Sequence, residues 1–282
     1  MPRMNLRQLK EKALRTWSNA RGWRTSRRIV VIESDDWGAI RMRDPKALDE
    51  LRRQGLRLED SRYHVLDCLE SRADLERLFE LLASYQDQHG NPPIITFNPV
   101  MGNPNFEAIK EDRFERYSHE MLWDSYDRYY GEDLRELWKQ ALQASLIRPQ
   151  FHGREHLNVR LWMDDLQDGR EETRRGFNQE YFGYKRSDSS GRQRSYLEAY
   201  WPQSAEHLRE IQEIVAEGLE MFDEEFGFPS ETFVACNYVL PEELETTTAE
   251  HGVRLIQGQR GQTRPSLGGA SSVLRSFTGM RN

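Results

Sequence analysis

The sequence predicts an α/β protein, a distorted (β/α) barrel of about six or seven parallel strands. Three observations favour this class. The chain has 282 residues, and one such barrel typically takes about 250. Short β-branched runs alternate with amphipathic helical segments, which is typical of βα units joined by right-handed crossovers. Polar side chains directly follow the predicted strands, where parallel α/β folds bind ligands.

The first half of the chain predicts three strands and three helices. The run Ile29–Glu33 is short and β-branched, as expected for a strand buried on both faces. Asp44–Pro45 opens one helix, and Ser71 caps another that carries a single apolar stripe. In order, we predict strand 29–33, helix 44–53, helix 71–82, strand 94–97, helix 132–145 and strand 148–151.

The second half predicts a long helix and further βα units. Ser204 caps an amphipathic helix that runs to Phe226. The elements that follow are strand 232–235, helix 241–252, strand 253–256 and a sixth strand at 272–277. We interpret residues 1–28 as a basic helical arm and residues 29–282 as the barrel domain. The least regular segment, about 164–203, is interpreted as an insertion. Because little sequence follows Gln257, we expect the barrel to be incomplete.

Composition excludes several classes of protein. The net charge of -7 argues against nucleic acid as the main partner. No window reaches the roughly 18 apolar residues of a membrane helix, and the N-terminus lacks the apolar run of a secretory signal. We therefore expect a soluble, cytoplasmic protein. With two cysteines in the chain, neither a disulfide framework nor a cysteine cluster is expected. A homo-oligomer is compatible with the sequence.

Polar residues follow the predicted strands at one rim. They are Asp35 and Asp36 after the first strand, Asn98 after the second, His152 after the third, and Asn237 and Tyr238 after the fourth. The carboxyl ends of parallel strands meet on the same side of the sheet. We therefore expect these side chains to converge, as an active site requires.

A divalent metal site fits this rim. His152 and His156 are spaced i, i+4, and one carboxylate from the first strand would complete a set of three ligands. Two histidines and one aspartate leave coordination positions open, which is typical of catalytic metal sites. The second carboxylate of the Asp35–Asp36 pair could then take a proton from water.

These motifs resemble those of the polysaccharide deacetylase family, carbohydrate esterase family 4, also called the nodulation-type deacetylase homology domain. Residues 33–38 (ESDDWG) resemble its TFDDG-like motif, and His152–His156 resemble its HxxxH motif. The resemblance implies that Asp35 is the general base and that Asp36, His152 and His156 bind a divalent ion, by family default zinc.

The resemblance also implies the reaction, hydrolysis of an N-acetyl or O-acetyl group of a carbohydrate. For a cytoplasmic protein we expect a nucleotide-linked or lipid-linked sugar precursor. Residues 235–238 match the family's Arg-Pro-Pro-Tyr-type motif only loosely and lack its arginine. The Leu-x-x-His motif that supplies the general acid has no counterpart, and His251 at a helix end is a poor candidate.

Two alternatives remain open. Residues 152–156 (HGREH) also fit the inverted zincin pattern with Glu155 as base, although that motif needs a helix that Pro149 and Gly153 disfavour. A barrel that binds carbohydrate without hydrolysing it is the other. In either carbohydrate reading we expect Trp37, Asn98, Asn237 and Tyr238 to contact the substrate. Cys236 is interpreted as a structural thiol.

Overall fold

The structure, a computed structural model, describes residues 5–20, 22–56, 58, 62–187, 193–267, 271–277 and 279–280. Within these ranges the helices are α1 (Leu6–Asn19), α2 (Pro45–Arg53), α3 (Tyr63–Leu66), α4 (Arg72–Ala83), α5 (Phe106–Glu111), α6 (Leu122–Tyr130), α7 (Arg135–Gln143), α8 (Val159–Gln167), α9 (Glu171–Asn178), α10 (Ala205–Phe226) and α11 (Glu243–Glu250). The strands are β1 (Glu33–Trp37), β2 (Ile95–Pro99), β3 (Gly102–Pro104), β4 (His119–Met121), β5 (Ile147–Pro149), β6 (Lys185–Ser187), β7 (Gln193–Ser195), β8 (Thr232–Val234), β9 (Leu255–Gln257), β10 (Gly261–Pro265) and β11 (Ser271–Arg275).

The α/β class is confirmed, with a small parallel sheet at its centre. Strands β1, β2 and β5 pair in that order, and β8 pairs in parallel with β9. A single parallel bridge between Phe151 and Phe233 joins the two pairings. The described residues form no closed barrel, because β1 pairs with β2 alone and its other edge is unpaired. Five short parallel strands therefore stand in the order of the chain, and the ends of β1, β2, β5 and β8 bring their following loops together.

The first strand lies further along the chain than the apolar run predicts. The ladder begins at Glu33 and runs to Trp37, whereas Val30 and Val31 are 86% and 67% exposed. Among the described residues upstream of β1, the Ile32 carbonyl joins the ladder by accepting from the Thr96 amide at 2.9 Å. The prediction of a buried strand at 29–33 is thus wrong, because the long-range register with β2 outweighs local β-propensity.

The helix starts are confirmed where a side chain caps them. Asp44, Ser71 and Ser204 accept hydrogen bonds from the first-turn amides of α2, α4 and α10. At Ser71 the backbone amide in turn donates to the Asp74 carboxylate, which completes a capping box. Such caps satisfy amides that would otherwise be unpaired, and each typically stabilises a helix by about 1 kcal/mol.

Two clusters of buried side chains form the core. The first packs α4, α7 and α10 against the parallel sheet and includes Phe97, Trp138 and Phe222. The second lies among α2, α5, α8 and α9 and includes Trp162, Phe177 and Tyr196. The segment 164–203 supplies much of this second cluster through α9 and through the aromatic residues that flank the antiparallel strand pair β6–β7. Its aromatic contacts come from turns as well as helix faces, so no single period appears in the sequence.

The end of the described chain differs from the predicted sixth parallel strand. Residues 271–275 form β11, which pairs antiparallel with β10 in a hairpin. A run of residues with high β-propensity does not show whether the strand will pair in parallel or antiparallel, and a short connection between two strands favours an antiparallel hairpin.

Among the described helices, none has an apolar stretch of the length that crossing a bilayer requires.

Candidate metal centre

The end of β1 contains a β-bulge that turns the aspartate pair toward the rim. Asp35 pairs with Asn98 and Trp37 with Pro99, so Asp36 is the extra residue of the bulge. Its φ of 71° is left-handed, which costs a non-glycine residue roughly 1–2 kcal/mol. Such strain persists where surrounding structure enforces it, commonly at functional sites. The bulge lets both consecutive carboxylates approach the rim instead of alternating across the sheet.

The two histidines lie in the loop after β5. The amide of His152 donates to the Pro99 carbonyl at 3.1 Å, which ties the loop to the end of β2. The Nδ1 of His152 lies 2.8 Å from the Val234 carbonyl. A carbonyl accepts only, so Nδ1 carries the proton of a neutral ring and Nε2 is left as a lone-pair donor. The ring centroids of His152 and His156 are 5.2 Å apart.

Asp36 lies between the imidazoles. Its Oδ1 is 3.2 Å from Nε2 of His152 and 3.5 Å from Nε2 of His156. For comparison, two donors at about 2.1 Å from a tetrahedral ion are about 3.4 Å apart. The predicted ligands, more than a hundred residues apart in sequence, are therefore within the span of one coordination sphere.

Several of these atoms are buried without a hydrogen-bond partner. Asp36 Oδ1, His152 Nε2 and His156 Nδ1 make no hydrogen bond, although the first two atoms are close to each other. Unpaired polar atoms in the interior are costly, and a cation bound by Asp36 Oδ1 and His152 Nε2 would remove that cost for both atoms. The donor types, imidazole nitrogen and carboxylate oxygen, are those that zinc prefers. The residues thus fit a divalent ion.

A buried arginine balances the charge on the far side of Asp36. Arg41 is 8% exposed, and its guanidinium lies 2.8 Å from Asp36 Oδ2 and 3.2 Å from Asp67. Although burial raises the pKa of Asp36, the charges of His156 and Arg41 lower it well below its usual value. Asp36 is therefore a carboxylate with one oxygen held by Arg41 and the other directed to the histidines.

The histidine pair lies in a field that attracts positive charge. Burial lowers the pKa of His152, but Cys236 and Asp36 together raise it well above its usual value. Burial likewise raises the pKa of the Cys236 thiol, yet His156 and His152 lower it to about 6. Protons and metal ions therefore compete for the same donors, so metal affinity should fall in acid.

The predicted general base, Asp35, accepts a hydrogen bond from the side-chain amide of Asn98. Asn98 donates from Nδ2 to Asp35 Oδ1 at 2.8 Å. Asn98 is completely buried. It therefore orients Asp35 from the interior of the protein and is not accessible to a substrate. The phenol of Tyr238 is near the same carboxylate: burial, then the charge of Asp35, raises the pKa of Tyr238.

The other predicted substrate contacts separate into two groups. Asn237 is exposed and Tyr238 half-buried, both in the left-handed turn that follows β8. Trp37 instead packs on the core, its ring stacked on Phe97 with centroids 3.6 Å apart and its edge near Trp138. Asn237 and Tyr238 therefore line the rim, whereas one face of the partly buried Trp37 ring is covered by Phe97.

The geometry argues against the inverted zincin alternative. Residues 152–156 form an irregular loop and no helix. Glu155 is 1% exposed and is paired with Arg154 through two contacts of 2.6 and 2.7 Å. A carboxylate held in this way is not free to act as a general base.

The sequence reasoning missed Cys236 and Arg41 as parts of this centre. One donor atom each from His152, His156 and Cys236 lie within 4.8 Å of one another. The signal for Cys236 was its position directly after β8, on the same rim as the other candidates. Arg41 gave no such signal, because it follows Gly38 in a loop and meets its partners only through the fold.

Glu70 supports the loop after β1 and gives a prediction for stability. It accepts hydrogen bonds from the Gly38 amide at 2.9 Å and from the Tyr126 hydroxyl. Burial raises the pKa of Glu70 to about 7 from 4.5. The folded state therefore retains a proton that the unfolded state has lost, so stability falls as pH rises from about 4.5 to about 7.

We expect Glu70→Gln to remove this dependence. Since glutamine cannot ionise, the variant should exceed the parent in stability at pH 8 by about 1 kcal/mol, a value discounted for partial exposure. At pH 4.5 the two proteins should differ little. Urea unfolding at both pH values measures the effect, and exposed Glu76→Gln is the control. Equal stability differences at both pH values would contradict the expectation.

Comparisons with known proteins add little to this geometry. No protein-family model matches the chain, and no curated protein matches it. Among solved structures the chain is similar to IcaB from Ammonifex degensii, with 14% identical residues and a TM-score of 0.31 over 84% of this chain and 86% of that chain. A likeness this weak carries no weight for the function, which must be argued from the site.

Proposed function

We propose that this protein is a metal-dependent hydrolase that removes an acyl group, in the simplest case an acetyl group, from a carbohydrate. One observation carries the proposal: Asp36 Oδ1 and His152 Nε2, both buried and without a hydrogen bond, lie 3.2 Å apart, and His156 Nε2 is 3.5 Å from the same oxygen. A second carboxylate, Asp35, directly precedes Asp36 in the chain. Asp36, His152 and His156 would hold the ion, and zinc suits their donor types.

The carbohydrate class is supported by the motifs. Residues 33–38 and 152–156 resemble the first two motifs of the polysaccharide deacetylase family in order and spacing. Tyr238 lies close enough to Asp35 and His152 to feel their charges, and the exposed Asn237 precedes it in the same turn. Burial and the charge of Asp35 keep the Tyr238 phenol protonated by raising its pKa, so it can donate a hydrogen bond to an acyl group or hydroxyl.

Each side chain has a part in the proposed reaction. When bound, a divalent ion supplies Lewis acidity that polarises the acyl carbonyl and acidifies water. Asp35, oriented by Asn98, accepts the proton of the attacking water at its free oxygen. The same proton then returns from Asp35 to the leaving nitrogen or oxygen, which balances the hydrolysis.

A single proton-carrying group suits the residues present. His251, the histidine nearest the C-terminus, lies at the end of α11 and contacts the Thr247 carbonyl at 2.8 Å. Its other ring nitrogen is 3.8 Å from Glu220. These contacts bind the ring to α10 and α11, so it has no part in leaving-group protonation. Asp35, which directly precedes Asp36, is our candidate for both proton transfers.

Acetate release tests the proposal directly. Full-length protein loaded with Zn²⁺ would be incubated with N-acetylglucosamine oligomers, a nucleotide-linked N-acetylamino sugar and an O-acetylated polysaccharide. We expect acetate from at least one of them, and none after removal of the metal by a chelator. Metal-dependent binding of a sugar without acetate would favour the carbohydrate-binding alternative. If the protein still bound sugar and still released acetate after the chelator removed the metal, a metal mechanism would be contradicted.

A further inference from the structure

Cys236 lies at the metal centre, although the proposed reaction gives it no role. It begins the short 3-10 turn Cys236–Tyr238, directly after β8. The residue is completely buried. Its sulfur and one ring nitrogen each of His152 and His156 lie within 4.8 Å of one another. The thiol therefore faces the same two imidazoles as Asp36.

The other contacts of this sulfur are weak. Sγ lies 3.6 Å from the His152 carbonyl and 3.8 Å from the Tyr200 hydroxyl. A thiol is a poor hydrogen-bond donor, so these contacts do not account for its burial among polar groups. The unpartnered His152 Nε2 and His156 Nδ1, on residues 2% and 5% exposed, are the second sign that a ligand is expected there.

Gly153 makes the close approach of this thiol to the histidine loop possible. A Cβ at that position would come within 2.7 Å of the Tyr200 hydroxyl and 3.4 Å of Cys236 Sγ. The first of these distances is a clash. A side chain at residue 153 would therefore displace Tyr200, whose hydroxyl contacts both the His152 carbonyl and Cys236 Sγ.

We propose that the Cys236 thiolate is a further ligand of the ion held by Asp36, His152 and His156. The inference rests on the metal centre of the proposed function and deepens it. Two anionic donors, Asp36 and Cys236, would together offset the two charges of a divalent cation, which Asp36 alone would not. Near neutrality favours a charged group in the protein interior.

A sulfur ligand changes which ion the centre selects. Thiolate and imidazole favour Zn²⁺ and Co²⁺ over Mg²⁺ and Ca²⁺, which prefer oxygen ligands. Two histidines, one aspartate and one cysteine would supply four donors, and zinc can also accept a fifth ligand such as water or substrate. The bond lengths differ slightly, about 2.3 Å for Zn–S against about 2.0–2.1 Å for Zn–N.

Cobalt spectroscopy separates this inference from the proposed function. Full-length protein stripped of metal would be titrated with Co²⁺, which is visible through its d–d bands and, with a sulfur ligand, through a thiolate-to-cobalt charge-transfer band in the near ultraviolet. We expect both in the parent. Cys236→Ser should keep the d–d bands, lose the charge-transfer band and bind Co²⁺ about 10- to 100-fold more weakly. Exposed Cys68→Ser is the matched control and should keep both.

The results of the cobalt titration distinguish failure of the Cys236 inference from failure of the proposed function. If the parent binds Co²⁺ without a charge-transfer band, or if Cys236→Ser retains it, Cys236 is not a ligand and the proposed function stands. If the parent binds no Co²⁺, the metal centre and the inference both fail. X-ray absorption of the zinc-loaded parent needs no variant: a sulfur neighbour at about 2.3 Å supports the inference, and a shell of nitrogen and oxygen alone overturns it.

Discussion

Replacing His152 or His156 with alanine should abolish stoichiometric metal binding. Each change removes a direct donor from a buried centre, and even outer-shell partners are typically worth about 10- to 100-fold in metal affinity. We therefore expect affinity to fall by more than about 100-fold. Titration of the metal-free protein with Zn²⁺, followed by calorimetry, measures it, and acetate release should be lost together with the ion.

The control for this experiment is a histidine away from the centre. His89 is exposed, beyond the end of α4, and His89→Ala should bind zinc as the parent does. Because alanine leaves a cavity at either buried site, circular dichroism and thermal melting of each variant establish that it is folded. Unchanged zinc affinity in a folded His152→Ala protein would show that the imidazole is not a ligand.

Asp35→Asn is expected to lower kcat by about 10²- to 10⁴-fold, the usual contribution of a general base. Asparagine has nearly the same shape and can still accept the hydrogen bond from Asn98, which holds the native side chain at 2.8 Å. It cannot take a proton from water. We therefore expect zinc content and stability to stay close to those of the parent while turnover falls.

The matched control lies on the same strand. Glu33 is an exposed carboxylate two residues upstream, and Glu33→Gln makes the equivalent change in charge at a residue that, unlike Asp36, forms no ion pair with either histidine among the described residues. It should leave kcat nearly unaltered. If Asp35→Asn kept the parent's kcat, or lost zinc in proportion to activity, Asp35 would not be the base.

Local signals explain what the sequence could predict. The starts of α2, α4 and α10 can be predicted from the capping residues Asp44, Ser71 and Ser204, because a cap accepts from amides within three residues of itself. The parallel βα order likewise follows from alternating runs and helices. From that order alone, the loops after β1, β2, β5 and β8 are expected at one rim, where the structure brings Asp36 to His152 and His156.

Long-range contacts explain what the sequence could not predict. Strand β1 is shifted from the β-branched run because its register is set by β2. Residues 272–277 looked like another parallel strand, but β11 pairs with the adjacent β10. Trp37 follows the aspartate pair as a substrate contact would, yet Phe97 and Trp138 enclose its ring. None of these partners is specified by the spacing of nearby residues.

Among the side chains of the metal centre, some could be predicted from the sequence and others are recognised only in the folded structure. Spacing identifies the histidine pair and the aspartate doublet, because their ligand chemistry and strand-end positions are both visible in the sequence. Arg41, Asp67 and Cys236 are recognised only when the chain has folded, through contacts with Asp36 or with the imidazoles. A lone cysteine or arginine in a sequence carries no such information by itself.

Anomalous X-ray scattering at the zinc edge, from crystals of the zinc-loaded full-length protein, is the most direct test of the metal centre. The expected result is one strong peak about 2.0–2.2 Å from Asp36 Oδ1 and from a ring nitrogen of each of His152 and His156. A fully loaded protein with no peak among these side chains, or with its zinc bound elsewhere, would contradict it.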